Sequence, residues 1–582
     1  MTQSLMSNPY YPPSAELAVP QNEASQGHPK GLYTLFGAEA WERFSYYGMR
    51  ALLVLYLTKS VGLTKDNALQ IYGVYTGLVY VTPLLGGYLA DKILGRRKAV
   101  LIGGLVMALG HLAMAVPSLL YVALALLIVG NGFFKPNIST MVGGLYSEGD
   151  NRRDGAFTIF YMGINLGALW SPIVCGTLGE KVSWHVGFAA AAVGMTMGLL
   201  QFGWGQSNLH HTGLPPGRAP SPGTTSMLAP KDYTDVALWT LGSCAVAWGG
   251  VVVAPVLSDS FVSVAAYAGF VGSALDAALF KGVGTVVLVL ASSLPVTLTL
   301  GVGLFRGAGS QEKKQLAVVV ILCLFNIFFW MGFEQAGGTM TLFAEDKTNR
   351  MIGPLGMVLA GVVVAACTYN FWLSTKDEPS GKGLWLTLSA MFGLLTVGMF
   401  VEAALLALKG AEVEVPASLF QSVNPMVIVA FAPTFSRLWT WLDGTKFRLS
   451  IPSKMAVGMV VLGLGFVVLF AGQKVGEMSG AKISMAWLVA VYVIHTLGEL
   501  CLSPVGLSMV TKLAPARVAS LAMGMWLGSS AVANYLAGTL EHSLEGKNIP
   551  IYAFLIASSI VPALLLMTLN PILKKWMGPH AY

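Results

Sequence analysis

Apolar residues run in blocks of about 20 along nearly the whole chain from Leu32 to Leu569, separated by short polar, Gly- or Pro-containing segments. As helices, such blocks are long enough to cross roughly 30 Å of hydrocarbon. Short alternating segments, the mark of a closed β-barrel, are absent. Spans are expected near 32–56, 68–93, 99–116, 121–138, 157–178 and 186–204, then near 236–257 and 283–304. A further series is expected near 316–343, 419–441, 455–470, 485–510, 521–540 and 551–569, interrupted by apolar runs at 351–373 and 384–407. The fold class expected is therefore an all-α polytopic membrane protein of two six-helix bundles plus extra helices, about 14 to 16 spans in all.

The expected divisions are a disordered cytoplasmic tail over 1–31, a first bundle over 32–204 and a linker with an extra helix pair over 205–310. A second bundle over 311–569 contains the insertion at 351–407, and a cytoplasmic tail covers 570–582. Residues ahead of Leu32 are polar and Pro-rich, so the first span is expected to act as the insertion signal, with no cleavable leader. Lys/Arg clusters fall in every second loop: Lys92, Arg96, Arg97 and Lys98; Arg152 and Arg153; Arg306, Lys313 and Lys314; Lys376 and Lys382; Arg437, Lys446 and Arg448; Lys512 and Arg517; Lys574 and Lys575. That alternation places both termini in the cytoplasm of a bacterial inner membrane, with Lys347 and Arg350 as the exceptions. A weak echo between VTPLLGGYLADKILGRRK (Val81–Lys98) and FAPTFSRLWTWLDGTKFR (Phe431–Arg448) fits two related halves.

Composition agrees with this reading: 55% of the 582 residues are hydrophobic and only 11% charged, against roughly 25% charged in a soluble protein. The net charge of +7 sits in short loops and forms no basic, aromatic-interleaved face, so a nucleic-acid partner is not expected. The five cysteines, Cys175, Cys244, Cys323, Cys367 and Cys501, lie in apolar runs without paired spacing and read as packing residues.

Charge inside the spans carries the chemistry. In EAWERFSYYGMR, Glu39, Glu42, Arg43, Tyr46, Tyr47 and Arg50 fall within an arc of roughly 140° on one helix. Each ionisable group near a helix centre costs roughly 2.5 to 3.5 kcal/mol on insertion scales, so this face must meet protein or water. Lys135 in GNGFFKPNIST lies near a span end before Pro136, Glu334 lies well inside its run, and Glu499 is mid-span one turn after His495. Asn165 and Asn424 are polar groups in apolar runs, explained equally by interhelical hydrogen bonds or by a site. The first half thus offers cations (Arg43, Arg50, Lys135) and the second anions (Glu334, Glu499), with Tyr47, Tyr80, Trp330 and Trp526 as aromatics. A zwitterion bridging them would give its carboxylate to the cations and its amine to a carboxylate. Buried carboxylates also offer proton sites coupled to occupancy, and no phosphate-binding loop for ATP is present in the sequence.

These motifs resemble the proton-coupled oligopeptide transporters of the major facilitator superfamily, and the chain looks like a prokaryotic member. The resemblance rests on EAWERFSYYGMR, GGYLADKILGRRK, GFFKPNIST, FYMGINLGA, FWMGFEQ, FQSVNP and GELCLSPVGLSMVTKLAP. It implies a proton-coupled symporter of di- and tripeptides working by alternating access, needing no cofactor, metal or catalytic residue, with a monomer as the functional unit. By resemblance, Glu39, Glu42, Arg43, Lys135 and Glu334 take part in proton coupling. Lys135 would pair with the cluster and with the substrate carboxylate, and Glu499 would take the amine. Arg43, Tyr47, Arg50, Tyr80, Asn165, Trp330, Glu334, Asn424, Trp526 and Ser530 complete the implied substrate site. Two departures stand out: Gly73 replaces the histidine tied to proton coupling in animal relatives, and the pair at 351–407 is additional to the usual pattern.

A nitrate or other non-peptide transporter is the nearest alternative, disfavoured by Glu39, Glu42 and Glu499. An intramembrane hydrolase lacks H-E-x-x-H, and His495 with Glu499 offers no further ligands. A channel would show fewer spans and a filter segment.

Overall fold

The computed structural model describes residues 27–146, 150, 152–215, 308–377, 382–446, 448–515, 519–544 and 550–578. The expected spans at 236–257 and 283–304, most of the linker, most of the N-terminal tail and residues 579–582 lie outside the described residues. The first half comprises α1 (Lys30–Lys59), α2 (Lys65–Leu89), α3 (Arg96–Ala113), α4 (Leu120–Gly143), α5 (Arg152–Ser171), a short α6 (Thr177–Lys181) that continues α5, and α7 (Trp184–Trp204). The second half comprises α8 (Ser310–Phe333), α9 (Thr339–Lys347), α10 (Pro354–Asp377), α11 (Lys382–Lys409), α12 (Val423–Asp443), α13 (Ile451–Ser479), α14 (Met485–Leu513), α15 (Ala519–Leu544) and α16 (Ile551–Met577). Among the described residues, ten helical stretches are long and apolar enough to cross a membrane. α1 is absent from that set because its charged face lowers its hydropathy, although most of its residues are buried.

Chain direction alternates from helix to helix, so one end of the bundle, here termed distal, carries Lys59, Lys65, Lys181 and Lys347. Four very short strands tie this end together. β1 (Thr348–Asn349) pairs in parallel with β4 (Ile483–Ser484). β2 (Met351–Ile352) pairs antiparallel with β3 (Val413–Glu414), Met351 opposite Glu414 and Ile352 opposite Val413. Side-chain caps start several helices here: Thr64 accepts from the Asn67 N–H before α2, and Ser484 from the Ala486 N–H before α14.

The expected run 316–343 is one helix in hydropathy but not in shape. α8 stops at Phe333, a 3-10 turn spans Glu334–Gly337, and α9 resumes at Thr339. A Cβ on Gly337 would lie 1.8 Å from the Tyr72 hydroxyl, so the break leaves room for a side chain arriving from α2. The last helix runs on to Met577, past the expected boundary at 569, because Lys574 and Lys575 extend it on its polar final turn.

The two halves meet along two seams, α2 on α15 and α5 on α12. The first is a backbone-to-backbone crossing. A Cβ on Gly73 would come within 2.8 Å of the Gly538 Cα, and one on Gly538 within 2.4 Å of the Gly73 Cα. The place of Gly73 therefore has no side-chain volume available. The inserted pair at 351–407 forms an α10–α11 hairpin, with its candidate span windows only 22% and 17% buried against 44 to 56% for most others. It stands at the bundle's edge over the α5–α12 seam.

Gly538→Leu is expected to lower the melting temperature of the detergent-solubilised protein by several degrees, as overpacking of about 1 to 3 kcal/mol requires. Gly528→Leu on the same helix faces open space and should leave it unchanged in a fluorescence melt.

Candidate functional site

α1 brings its charged face into the first half, where Glu39, Glu42 and Arg43 are all buried. Arg43 grips Glu42 with both arms of its guanidinium, Nη2 donating to Oε1 at 2.7 Å and Nε to Oε2. The same Nε lies 3.3 Å from Glu39 Oε1. Asn131 of α4 adds a third donor to Glu42 Oε1 at 3.2 Å. Glu42 is therefore saturated with donors, whereas Glu39 Oε2 is buried with no hydrogen-bond partner.

Tyr47 connects this cluster to the midline. Its ring lies 5.9 Å from the Arg43 guanidinium and 5.8 Å from that of Arg50, with Tyr46 packed edge-on beside it. Arg50 then reaches across to the second half: Nη2 forms a buried ion pair with Glu334 Oε2, and Nε donates to the Tyr72 hydroxyl at 2.6 Å. The 3-10 turn at Glu334–Gly337 aims the carboxylate inward and admits Tyr72 behind it. This pair joins charges 284 positions apart in sequence.

Between the halves lies a cavity of about 140 Å³. Tyr47, Arg50, Tyr80, Asn165, Trp330, Glu334, Asn424 and Glu499 all line it, so eight of the expected substrate residues converge. Glu499 is buried, and its Oε2 accepts from Asn424 Nδ2 at 2.8 Å. The same amide lies 3.0 Å from the Thr496 hydroxyl, which donates to the Tyr492 carbonyl at 2.6 Å. Arg50 is neutralised by Glu334, while neutral Asn424 holds Glu499; the cavity thus has an anionic pole with a neutral partner.

The other expected residues sit apart. Lys135 lies with its ammonium 4.5 Å from the centre of the Tyr80 ring, beside the cavity and outside ion-pair contact with the glutamate cluster. Trp526 is buried against Gly506, and Ser530 lies in the α8–α15 interface, where Asn326 donates to it at 3.4 Å and to Ser529 at 2.8 Å. The His495 ring packs on Phe466 at 4.5 Å and into the notch at Gly465; it reaches the cavity lining as well but makes no pair with Glu499. Tyr161, Gln421, Tyr492 and Thr496 line the cavity, Tyr72 holds its Arg50 and Asn131 holds Glu42 in the α1 cluster, none of them singled out in the sequence. Spacing held a signal for three: Thr496 and Tyr492 lie three and seven residues before Glu499, and Tyr161 four before Asn165, each on the same helical face.

The distal end is closed by ion pairs between the halves: Lys59 to Glu345, Lys65 to Asp346, and Lys181 to Glu414 at 3.0 Å. Arg350 joins two of these anions, at 2.9 Å from Glu345 and 2.8 Å from Glu414. That explains one exception to the charge alternation, since Arg350 is fully engaged by carboxylates. The hydrogen bond from Lys181, then the Arg350 charge, holds the Glu414 carboxyl below its ordinary range. Its contribution to closure is complete above the ordinary carboxylate value and lost only as pH falls through the lowered one.

Comparison with known proteins places this architecture. The sequence matches the POT family over residues 97–227 and 399–550. It is 33% identical over 569 residues to the uncharacterized transporter YclF of Bacillus subtilis (strain 168), covering 96% of this chain and 97% of that one. It is 31% identical to the di-/tripeptide transporter of Lactococcus lactis subsp. lactis (strain IL1403), covering 94% and 96%. A crystal structure of the peptide transporter POT in complex with sulfate superposes with a TM-score of 0.69 at 30% identity, over 96% of this chain and 100% of that one. The chain belongs to the POT family and has its major facilitator fold, as the motif resemblance implied.

Glu334→Ala, which strands Arg50 as an unpaired buried charge, is expected to destabilise the protein by about 3 to 5 kcal/mol. Arg50→Leu with Glu334→Leu should recover most of that loss, giving a non-additive double-mutant cycle in thermal melts.

Proposed function

We propose that this protein is a proton-coupled symporter that takes up di- and tripeptides across the bacterial inner membrane by alternating access. The observation carrying this reading is the polarity of the cavity. One wall presents Glu499, held by an amide and not by a cation, and the other presents Arg50, Tyr47 and Tyr80 with Lys135 beyond. A peptide amine placed against Glu499 gains a charge-assisted hydrogen bond, and its carboxylate faces the cationic half. Tyr47, Tyr80 and Trp330 supply apolar surface for the rest of the molecule. The names of relatives such as the di-/tripeptide transporter of Lactococcus lactis support the same substrate class.

Proton coupling is assigned to the carboxylates and their cations. A substrate carboxylate near Arg43 or Lys135 competes with Glu39 and Glu42 for those cations, so binding and protonation favour one another. Glu334 holds Arg50 while the distal side is closed, and protonation of Glu334 releases it. In this reading the distal side faces outward, both termini are cytoplasmic, and the structure represents a state closed to the outside. The site is complete within one chain, which supports a monomeric functional unit. Gly73 leaves the coupling to the glutamates, with no histidine in that place. Nitrate transport is the other reading, and Glu499 counts against it because an anion gains nothing from a carboxylate in its cavity.

In liposomes with an inward proton gradient, labelled dialanine should accumulate and a protonophore should abolish the accumulation. Glu42→Gln should abolish gradient-driven uptake while leaving peptide counterflow, which separates coupling from binding. Glu499→Gln should raise KM at least tenfold, the loss of about 1.4 kcal/mol or more from one charge-assisted bond. A folded wild type that takes up no peptide refutes the assignment.

A further inference from the structure

The inserted hairpin α10–α11 has no role in the transport cycle described so far, yet its placement gives it one. Its two feet, β2 and β3, pair with each other, so the whole insertion leaves and re-enters the second half at a single point. Its body then lies across the α5–α12 seam. Leu388 and Phe392 belong to one buried cluster with Leu169 of α5, Phe392 meets the Trp170 ring at 6.3 Å, and Asn370 donates to the Ala430 carbonyl of α12 at 3.2 Å. The opposite side of that seam is a wall of the cavity, where Asn165 and Ala168 of α5 face Asn424 and Ile428 of α12. The hairpin thus belongs covalently to one half, packs on the other, and backs the wall between them.

One of its feet also joins the distal closure. Glu414 in β3 receives Lys181 from the first half. Immediately after β3, the Ala417 and Ser418 N–H groups donate to the two oxygens of Glu180 at 2.9 and 2.8 Å. Contacts that one conformation makes and another must break change the balance between them.

We propose that α10–α11 is a lateral strap that holds the distal side closed: it clamps α5 against α12, and its foot β3 holds Lys181 of the first half through Glu414. The proposal rests on the alternating-access reading and is independent of which solute is carried. When the halves rock apart distally, the strap travels with the second half and its packing on Leu169 and Trp170 is lost, so its presence favours the closed state.

The pairing of Ile352 with Val413 makes the strap removable, because an Asn-Gly turn can replace residues 353–412 between them. Spin labels at Ser60→Cys on the first half and Ser479→Cys on the second report the distal separation in the full chain in liposomes. Cys244 is replaced by Ser, and the described native cysteines are buried. The deletion, and independently Leu388→Ala with Phe392→Ala, should add a longer-distance component, raising the open fraction by about threefold or more. The double substitution carries the test if the deletion fails to fold. Folded variants with the wild-type distance distribution overturn the strap, even where dialanine uptake is intact. Longer distances in the variants, beside a folded wild type that takes up no dialanine, support the strap while refuting the peptide assignment.

Discussion

Charge buried in hydrocarbon is the constraint on which the rest of this structure depends. α1 carries two carboxylates and two guanidiniums among residues that are almost all buried, an arrangement far too costly to face lipid. The structure answers with partners from other elements: Asn131 from α4 for Glu42, Tyr72 from α2 and Glu334 from beyond α8 for Arg50. The second of these answers crosses from one half of the molecule to the other. Closing the halves and neutralising α1 are consequently one event, and a molecule that opens must first provide Arg50 with another counter-charge.

The same economy appears at the distal end, in looser form. Lys59, Lys65 and Lys181 reach across to Glu345, Asp346 and Glu414 from exposed or half-exposed positions. Water competes for these groups, so each pair contributes little alone. They fix register, while the buried Arg50–Glu334 pair and the two helix seams set how far the halves approach. A reversible gate needs this division, with one demanding contact at its centre and several easily exchanged ones at its rim.

Much of the architecture was legible in the amino-acid pattern. Hydropathy gave the helices, and the arc from Glu39 to Arg50 the polar face. Periodicity identifies a face but not what it meets, and the surprises are of that kind. Charge pointed to Arg50, Glu334 and Glu499, and the family resemblance to Asn165 and Asn424, whereas Asn131, one turn before Lys135 on α4, takes the contact with Glu42. The break at Glu334 was hidden because glycine and glutamate interrupt a run whose average hydropathy remains high. Trp526 and Ser530 are pocket residues by the family resemblance, and packing on Gly506 and Asn326 places them outside the cavity lining. Tyr161, Tyr492 and Thr496 were within reach, since they share helical faces with residues already marked. The hairpin's length was plain from sequence, but its position over the α5–α12 seam follows from tertiary packing of Leu169, Leu388 and Phe392.

The crossing of Gly73 and Gly538 bears on how such transporters diversify. With the two backbones in contact, no side chain fits at either position unless the helices separate, so a histidine at 73 requires a different spacing between α2 and α15. Exchange between a histidine-bearing and a histidine-free design is thus closed to single substitutions. It demands coordinated change on helices that are neighbours in space and more than 400 residues apart in the chain.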